Sequence, residues 1–298
     1  YTYRMSISRQ NLTVIIVTFK SENVIDNCIQ SIDDKVKILV VDNSNSKLLK
    51  NNLEKKYKNV SCILSENNVG MGAGNNIGIK SINTDFALIL NPDVVLESNT
   101  IELLINETNK LTSFGIAAPI ETNENYPNFK TKKNTSNNND EMEPFEVQSV
   151  DGYAMLLNLK RINELEKFNY FDENFFMYLE NDDLCKRIFN QNEKIYIIPK
   201  SKIKHLGGMA VDKTYEYEIE LSRNWHWIWS KFYFNKKHHG FLFAFLNGTP
   251  TFCSSLLKFL FFLMTNNKKR KDIYLKRLLG FLNALFGKPS HYRPKVGI

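Results

Sequence analysis

The chain has 298 residues, of which 43% are apolar and 24% are charged, as is ordinary for a globular protein with one good core and an appendage. The formal net charge of +7 suits an anionic partner but does not by itself identify that partner. The four cysteines are far apart and form no C-x-x-C pair, so we expect buried free thiols in a reducing compartment. The first apolar run, residues 14–17, is too short for a signal peptide, and a cytoplasmic location is expected.

Short runs of Val, Ile, Leu and Phe in the first 119 residues predict strands, and the segments between them have helical lengths. The predicted strands span 12–19, 37–42, 60–65, 85–90 and 115–119, and the predicted helices include 21–32, 71–82 and 98–112. Nearly continuous apolar strands separated by helices indicate an α/β fold with a mostly parallel central sheet, covered on both faces.

The pattern changes after residue 120. Residues 121–146 are rich in Asn and poor in aliphatic side chains, which predicts a loop or hairpin on the surface. We then expect a strand at 147–158, a helix opening near Asp182, a strand at 194–198 and a long amphipathic segment over 215–234.

The C-terminal region, residues 236–298, is predicted to be a helical appendage to a domain formed by residues 1–235. Its apolar runs, 241–245 and 256–264, are interrupted by polar residues and Pro250, whereas a spanning helix needs about 20 mostly apolar residues. Apolar residues then repeat at helical spacing over 275–286. One interpretation is a helix packed on its own domain; the favoured one is an interfacial helix pair on an anionic membrane, with basic side chains reaching the headgroups.

The stretch Ala87–Val95 delivers one carboxylate, Asp93, directly after an apolar strand and a proline. Because Pro92 cannot extend a sheet ladder, Asp93 is predicted at the carboxyl end of the strand, facing the crevice where α/β sheets bind ligands. The alternative is an ordinary turn, since Asn-Pro-Asp is also common turn chemistry.

This stretch belongs to an ordered series of segments, namely 14–19, 38–44, 68–76, 87–95, 171–185 and 205–208. The series resembles the family 2 glycosyltransferases, more narrowly the rhamnosyltransferase-like members that build bacterial surface polysaccharides, and it covers roughly residues 12–235. The resemblance implies a GT-A-like fold and an inverting, metal-dependent hexosyltransferase. It also implies a dTDP- or UDP-sugar donor and a saccharide acceptor linked to polyprenyl diphosphate at the inner face of the plasma membrane, with no nucleic-acid partner.

Donor binding is expected at the ends of the first two strands. Thr18 and Phe19 end the first strand and Asp42 ends the second, so all three reach the same edge of the sheet. A carboxylate at Asp42 can accept the N3–H of uracil or thymine and an aromatic ring can cover the base, and the resemblance implies the same roles. The alternative for residues 42–44 is an Asx turn.

The glycine-rich segment 70–76 opens a helix, so its amides and the helix dipole favour phosphate or sugar oxygens; close packing is the alternative. The resemblance adds Gly152 and Arg223 near the donor sugar and diphosphate. The donor-binding residues expected beyond the strand ends are therefore Gly70, Gly72, Asn75, Asn91, Gly152 and Arg223.

The metal and the base are implied by the resemblance. Asp93 would be the main carboxylate ligand of Mg²⁺ or Mn²⁺ and His205 a further ligand, although a lone histidine is usually structural. Relatives carry Tyr-x-Glu-Asp-x-Asp-Leu-Cys, in which the Asp after the Glu commonly acts as base. This chain has Asn181 at that position, and an amide cannot accept the proton. Glu180 is therefore the first candidate for the base and Asp182 the second, unless these acids merely suit a helix N-terminus.

Three rival functions would need different sequence features. A nucleotidyltransferase would need a Gly-rich loop with Arg and Lys after the first strand, where this chain has Lys20-Ser21-Glu22. A catalytically weak or silent nucleotide-sugar-binding subunit of a polysaccharide assembly complex is the main alternative, because of Asn181. A basic nucleic-acid-binding protein is the weakest, because the positive charge clusters at the C-terminus beside apolar runs.

Overall fold

The computed structural model describes residues 6–131, 142–166 and 168–296. The described residues group into two compact units. The first comprises residues 6–69, 73–171 and 181–212, and the second comprises residues 70–72, 172–180 and 213–296.

In the described residues, the first unit contains a nine-stranded mixed sheet and a two-stranded ribbon. The ribbon pairs β7 (Phe129–Lys130) with β9 (Ser149–Val150). The strands of the sheet are β1 (Leu12–Thr18), β2 (Lys37–Asp42), β3 (Val60–Leu64), β4 (Phe86–Leu90), β5 (Val94–Leu96), β6 (Ile116–Glu121), β8 (Phe145–Glu146), β10 (Ala154–Asn158) and β11 (Ile195–His205).

The strand order is β3-β2-β1-β4-β10-β6-β11-β5, with β8 also pairing with β11. β3, β2, β1 and β4 are mutually parallel, as predicted. β10 runs antiparallel between β4 and β6, and β5 runs antiparallel to β11. The sequence did not predict these reversals, because a strand buried on both faces is equally apolar whichever way it runs.

The helices interleaved with these strands are α1 (Ile25–Ser31), α2 (Lys47–Lys56), α3 (Met71–Lys80), α4 (Thr100–Thr108), α5 (Leu159–Asn163) and α6 (Glu180–Asn190). Alternate residues of β1 enter two different apolar clusters: Val14 and Ile16 join one, and Ile15 joins the other. The prediction of a sheet covered on both faces is therefore confirmed.

Two glycines of α3 allow this helix to approach β1. A Cβ atom on Gly74 would lie 2.7 Å from the Val17 side chain, and one on Gly78 would lie 2.5 Å from that of Ile15. Both distances are too short for a carbon contact, so these glycines serve close packing between helix and strand.

The last strand of the sheet is longer than predicted. β11 continues to His205, beyond the predicted end at residue 198, with a register shift between Ile198 and Lys202. Its final residues pair with β5, a three-residue strand absent from the sequence prediction, so that His205 lies opposite Val94. In the predicted surface excursion, short strands form at 129–130 and 145–146, and residues 132–141 lie outside the described residues.

The second unit contains α7 (Glu216–His239), α8 (Phe241–Met264) and α9 (Lys268–Leu285), followed by an irregular C-terminal segment, residues 286–296. α8 is one continuous helix with Pro250 inside it, although its apolar runs were predicted to be interrupted there. A Cβ atom on Gly280 would lie 2.4 Å from the Trp225 carbonyl oxygen, so α9 lies very close to α7. The apolar cluster of this unit comprises Trp225, Ile228, Trp229, Phe232, Ala244, Phe281 and Ala284.

The described helices include none that is both long and apolar enough to cross a membrane. The four cysteines are free: Cys28, Cys62 and Cys185 are buried, and Cys253 is exposed on α8.

Candidate functional site

The carboxyl ends of β1 and β2 bring Thr18 and Asp42 together, as predicted. The Thr18 hydroxyl donates to Asp42 Oδ1 over 3.1 Å. The fully buried Asp42 carboxylate also accepts the amides of Ser44 and Ser46 over 3.0 and 2.7 Å. The Asx-turn geometry is thus present, and it uses three of the roughly four acceptor positions of a carboxylate. Phe19 follows at the edge, half-buried, with its amide donating to Ser21 Oγ over 3.2 Å.

Asp93 and His205 also lie together, at the ends of neighbouring segments of the same sheet. Asp93 is 2% exposed, and its Oδ1 lies 3.4 Å from His205 Nε2. Two backbone contacts fix this pair: the amide of Leu206 donates to the Asp93 carbonyl over 3.0 Å, and the antiparallel ladder aligns Val94 with His205. The two predicted metal ligands therefore meet through β5, the strand that the sequence did not reveal.

Three buried oxygens at predicted ligand-binding residues lack a hydrogen bond within the described part of the chain. They are Oδ1 of Asn75, Oδ1 of Asn91 and Oδ1 of Asp93. Buried polar atoms almost always have partners, and leaving one without costs about 1–3 kcal/mol. Three such atoms among residues predicted from sequence to bind donor and metal indicate a site arranged for an external ligand.

Asp93 and His205 are a pair of candidate metal ligands rather than part of a larger cluster in the described residues. Among the described residues, no group of three or more His, Cys, Asp and Glu side chains is placed to hold a metal ion. Asp93 and His205 would therefore supply two ligands, and water and substrate phosphates the rest, which is the usual mode for Mg²⁺.

Two acidic residues, Asp182 near the start of α6 and Asp151, lie close enough to interact. Asp182 also forms an ion pair with Lys130 over 2.6 Å. Burial raises the pKa of Asp151, and the nearby Asp182 carboxylate raises it further, while Lys130 and His205 lower it. One Asp182 oxygen is thus already engaged by a lysine side chain.

Asn181 and Gly152 are packed against each other. Asn181 Nδ2 donates to the Val150 carbonyl over 3.0 Å. A Cβ atom on Gly152 would lie 3.1 Å from the Cβ of Asn181, so a larger residue at 152 would press on this amide. The amide at position 181 is therefore a fixed structural donor. The next acid, Asp183, is completely buried and pairs with Arg187 over 2.8 Å.

In the second unit, the glycine-rich segment starts with a packing contact. Gly70 has φ of +88°, and a Cβ atom there would lie 2.2 Å from the Phe176 carbonyl oxygen. The Met71 amide donates to the same oxygen over 3.1 Å, and Gly72 is buried. The close-packing interpretation thus accounts for Gly70, and the Met71 amide already has a backbone acceptor.

Residues 172–180, which lead into α6, are held in an unusual conformation. Tyr178 and Leu179 both adopt left-handed backbone angles, with φ of +71° and +67°, a costly arrangement for two consecutive residues that are not glycine. The Met177 carbonyl accepts the Ser230 hydroxyl over 2.8 Å, and the Tyr178 ring meets Trp227 edge to face at 5.4 Å.

Glu180, the first candidate for the base, ends this segment and is 8% exposed. Burial raises the pKa of Tyr178; the neighbouring Arg223 opposes this effect and Glu180 adds to it. Tyr178, Glu180 and Arg223 are therefore close enough to interact electrostatically.

Three groups that sequence analysis missed support these residues. The Tyr153 ring stacks on His205 with centroids 4.0 Å apart, and Glu121 Oε2 accepts the His205 amide over 2.8 Å. In the second unit, the Arg293 guanidinium lies 3.8 Å from the centroid of the Phe176 ring. Tyr153 could have been suspected from its position beside Gly152, but nothing local in the sequence signals Glu121 or Arg293.

The C-terminal segment that carries Arg293 is tied to α7 and to the segment before Glu180. His226 Nε2 lies 2.8 Å from the Tyr292 carbonyl, Trp229 Nε1 donates to the Lys288 carbonyl over 3.0 Å, and Ser290 Oγ donates to the Asn174 carbonyl over 2.8 Å. Residues 286–296, here called the C-terminal strap, therefore help to hold residues 172–180.

Comparison with known sequences identifies the family of the chain. The family model described as Glycosyl transferase family 2 matches residues 13–188, more than half of the chain. The low-salt glycan biosynthesis hexosyltransferase Agl10 of Haloferax volcanii is 29% identical over 220 residues, which are 68% of this chain and 69% of that protein. Rhamnosyltransferase WbbL of Escherichia coli K12 is 25% identical over 213 residues, which are 62% of this chain and 80% of that protein.

Solved structures show the same fold at low sequence identity. The structure of GalNAc-T7 with UDP, GalNAc and Mn²⁺ matches with a TM-score of 0.56 at 15% identity, over 65% of this chain and 43% of that chain. The mannosyltransferase PcManGT from Pyrobaculum calidifontis, in complex with GDP-Man and Mn²⁺, matches with a TM-score of 0.54 at 13% identity, over 93% of this chain and 88% of that chain. The expected GT-A-like fold is confirmed, and the chain belongs to the family 2 glycosyltransferases.

Proposed function

We propose that this glycosyltransferase is metal-dependent and inverting, and that it transfers rhamnose or a hexose from a dTDP- or UDP-sugar. The acceptor that we propose is a saccharide linked to polyprenyl diphosphate, used in surface polysaccharide synthesis at the inner face of the plasma membrane. The relatives named for glycan biosynthesis hexosyl transfer and for rhamnosyl transfer support these sugar classes. The observation that carries the proposal is the buried, unbonded Oδ1 of Asp93 facing His205.

Asp93 and His205 are the residues that would hold Mg²⁺ or Mn²⁺. A buried carboxylate oxygen without a hydrogen bond and an imidazole nitrogen, 3.4 Å apart, are a chemically suitable pair for such an ion. When bound, a divalent cation neutralises negative charge on a departing diphosphate. The presence of Mn²⁺ in the structures of GalNAc-T7 and PcManGT supports a divalent ion here.

The remaining steps are assigned to side chains of the chain itself. Thr18, Phe19 and Asp42 would contact the base of the donor, and the unbonded oxygens of Asn75 and Asn91 would accept hydroxyl hydrogens of its sugar or ribose. Arg223 would offset charge on the diphosphate. The backbone of residues 70–72 and 152 would lie beside the donor, at glycines where an added Cβ atom would press on Phe176 or Asn181.

Glu180 would act as the general base. Its carboxylate would take the proton of an acceptor hydroxyl while that oxygen attacks the anomeric carbon and the bond to the nucleotide diphosphate breaks on the opposite face. We assign the second place to Asp182, because its carboxylate is engaged in an ion pair with Lys130. General base catalysis contributes about 10²–10⁴ in rate.

A second candidate function is a nucleotide-sugar-binding subunit with little or no catalysis. The observation that favours it is Asn181, which stands at the position where the family resemblance implies a carboxylate. Its side-chain amide nitrogen donates a hydrogen bond to the Val150 carbonyl. Donor binding without turnover of any dTDP- or UDP-sugar would support this alternative.

The test of the main proposal is Asp93→Ala. Donor turnover by the full chain, screened over dTDP- and UDP-sugars with Mn²⁺ or Mg²⁺, should fall at least ~10²-fold, because the variant removes the only carboxylate of the Asn-Pro-Asp turn. Asp34→Ala, which removes an exposed carboxylate of the same unit, is the matched control and should leave the rate unchanged. Near wild-type turnover by Asp93→Ala after EDTA treatment and Mn²⁺ addition would rule out the proposed metal role.

A further inference from the structure

The outward face of α8 is unusually apolar for a protein surface. Of the twenty large apolar side chains exposed in the described chain, eleven belong to this one helix of 24 residues. Leu242, Leu246, Leu257, Phe261 and Met264 recur at helical spacing on a single face and are 58–85% exposed. Single exposed apolar residues are common, but a stripe of this kind, interrupted only between Leu246 and Leu257, marks an interaction surface.

The opposite face of α8 is already occupied within the second unit. Its buried residues are Ala244, Ser255 and Phe262, and a Cβ atom on Gly248 would lie 2.5 Å from the Phe281 ring of α9. Apart from Phe262, the residues that face the neighbouring helices are small, while most of the large apolar ones face away. An inward rotation of α8 would replace small side chains with leucines in this close contact, so the exposed stripe cannot be buried against α9.

Positive charge borders the stripe. Residues 268–271 read Lys-Lys-Arg-Lys and form the first turn of α9, a helix end that disfavours cations because its dipole is positive. Lys269 and Lys271 have carboxylate partners, Glu220 and Asp272. Lys258, Lys268 and Arg270 have none within ion-pair distance among the described residues.

An open groove of about 520 Å³ joins the apolar stripe to these cations. Leu257, Phe261 and Phe262 form its apolar side, while Lys258 lies over the Tyr274 ring at 5.5 Å and Arg270 over the Phe262 ring at 5.3 Å. α8 contains no acidic residue. The groove therefore combines apolar walls with two cations that have no carboxylate partner among the described residues, which suits a ligand that is apolar at one end and anionic at the other.

We propose that this face of α8 docks on an anionic lipid bilayer. The five stripe residues enter the boundary between headgroups and acyl chains, and Lys258, Lys268 and Arg270 contact lipid phosphates. Charge favours a bilayer over a second copy of the chain as the occupant, because α8 contains no acidic residue with which a second copy could pair these cations, whereas anionic lipids supply phosphates. The surface lies outside the residues assigned to transfer, so the inference does not depend on the donor or the acceptor.

The test is flotation of the full chain with vesicles, without any substrate. We expect binding to vesicles of equal parts phosphatidylcholine and phosphatidylglycerol, weak binding to phosphatidylcholine alone, and loss of binding as salt rises. The triple variant Leu257→Ser, Phe261→Ser, Met264→Ser should lower the partition coefficient at least ~10-fold, because it removes three exposed apolar side chains. Leu48→Ser, at a leucine 72% exposed on α2, is the matched control and should bind normally.

The charge contribution is tested separately. Lys258→Gln and Arg270→Gln should each lower the partition coefficient about fivefold, since a basic residue near an anionic surface is worth ~1 kcal/mol. Lys55→Gln on α2 should have no effect. Unchanged flotation of the triple variant would overturn the proposal. A stable dimer that the triple variant converts to monomer would also overturn it and would assign the stripe to a second copy. Because flotation needs no sugar, either result is separable from failure of the proposed transfer reaction.

Discussion

The two compact units hold their candidate residues by different means. In the first unit, Thr18 and Asp42 are the last residues of β1 and β2, and Asp93 directly precedes β5. The hydrogen-bonded ladders of the sheet fix their positions. In the second unit, Glu180 ends an irregular segment with two left-handed residues. Side chains of α7 and of the C-terminal strap hold that segment.

This difference has a consequence for stability. At a sheet edge, an acceptor such as Asp93 Oδ1 can remain without a hydrogen bond. The free-energy penalty is tolerated because the surrounding hydrogen-bonded strands are stable enough to offset it. A strained segment needs each of its tethers to keep the conformation. We therefore expect changes at the sheet edge to alter chemistry without loss of stability, and changes around residues 172–180 to alter both.

The largest expected effect is that of Glu180→Gln. The amide has the shape of the carboxylate but no basicity, so transfer should fall about 10²–10⁴-fold while donor affinity is kept. Asp182→Asn, at the neighbouring acid paired with Lys130, is the matched control and should lower the transfer rate much less. Single-turnover transfer assays and donor titration measure the two properties. Full activity of Glu180→Gln with lost activity of Asp182→Asn would move the base to Asp182, and full activity of both would place it outside this segment.

Two buried aspartates of the first unit separate chemistry from stability. Asp183 is bonded to Arg187, so Asp183→Asn should lower the free energy of unfolding by about 1.5–3 kcal/mol. Asp93→Asn replaces a buried carboxylate whose Oδ1 has no hydrogen bond in the described structure. In EDTA, its free energy of unfolding should therefore equal or exceed that of the wild type, while turnover is lost. Urea unfolding curves test both. A destabilised Asp93→Asn would show that the sheet edge depends on this carboxylate for folding.

The same difference explains what could be predicted from the sequence. Apolar runs ending in polar residues reveal strand ends, so the places of Thr18, Asp42 and Asp93 were predictable. The pairing of Asp93 with His205 depends on β5, a strand too short to carry a periodic signal. The surroundings of Glu180 depend on contacts such as that of Phe176 with Arg293, which join residues far apart in sequence and leave no local pattern. The site residues outside strand ends were expected from family resemblance rather than from periodicity.

A smaller effect is expected in the pH dependence of stability. His226 is fully buried between Phe176 and Trp225, and burial lowers its pKa to about 3. An unfolded histidine has a pKa near 6.5, so between about pH 6.5 and 3 the unfolded chain binds the extra proton. The contribution of His226 to stability is therefore complete above about pH 6.5 and is lost progressively as the pH falls toward 3.

His226→Gln should reduce this dependence. In that pH window, the slope of the free energy of unfolding should fall by up to about 1.4 kcal/mol per pH unit, the value for one proton. His239→Gln, at an exposed histidine of the same helix, should leave the slope as in wild type. Urea unfolding at a series of pH values provides the measurement, and equal slopes for wild type and His226→Gln would mean that another group controls acid sensitivity.

The smallest expected effect is that of Arg293→Ala, which removes the cation from the Phe176 ring. A cation–π contact at an exposed site is worth about 0.5–1 kcal/mol, so kcat should fall about two- to fivefold with little change in the KM for the donor. Amide hydrogen exchange of residues 172–180 should become faster, because Phe176 precedes the strained pair Tyr178 and Leu179. Arg293→Lys should restore part of both properties, since it keeps a cation. Lys295→Ala, in the same strap, serves as the control. Unchanged exchange in Arg293→Ala would show that the contact of Arg293 with Phe176 does not help to hold this segment, and that the contacts from α7 and Ser290 are sufficient.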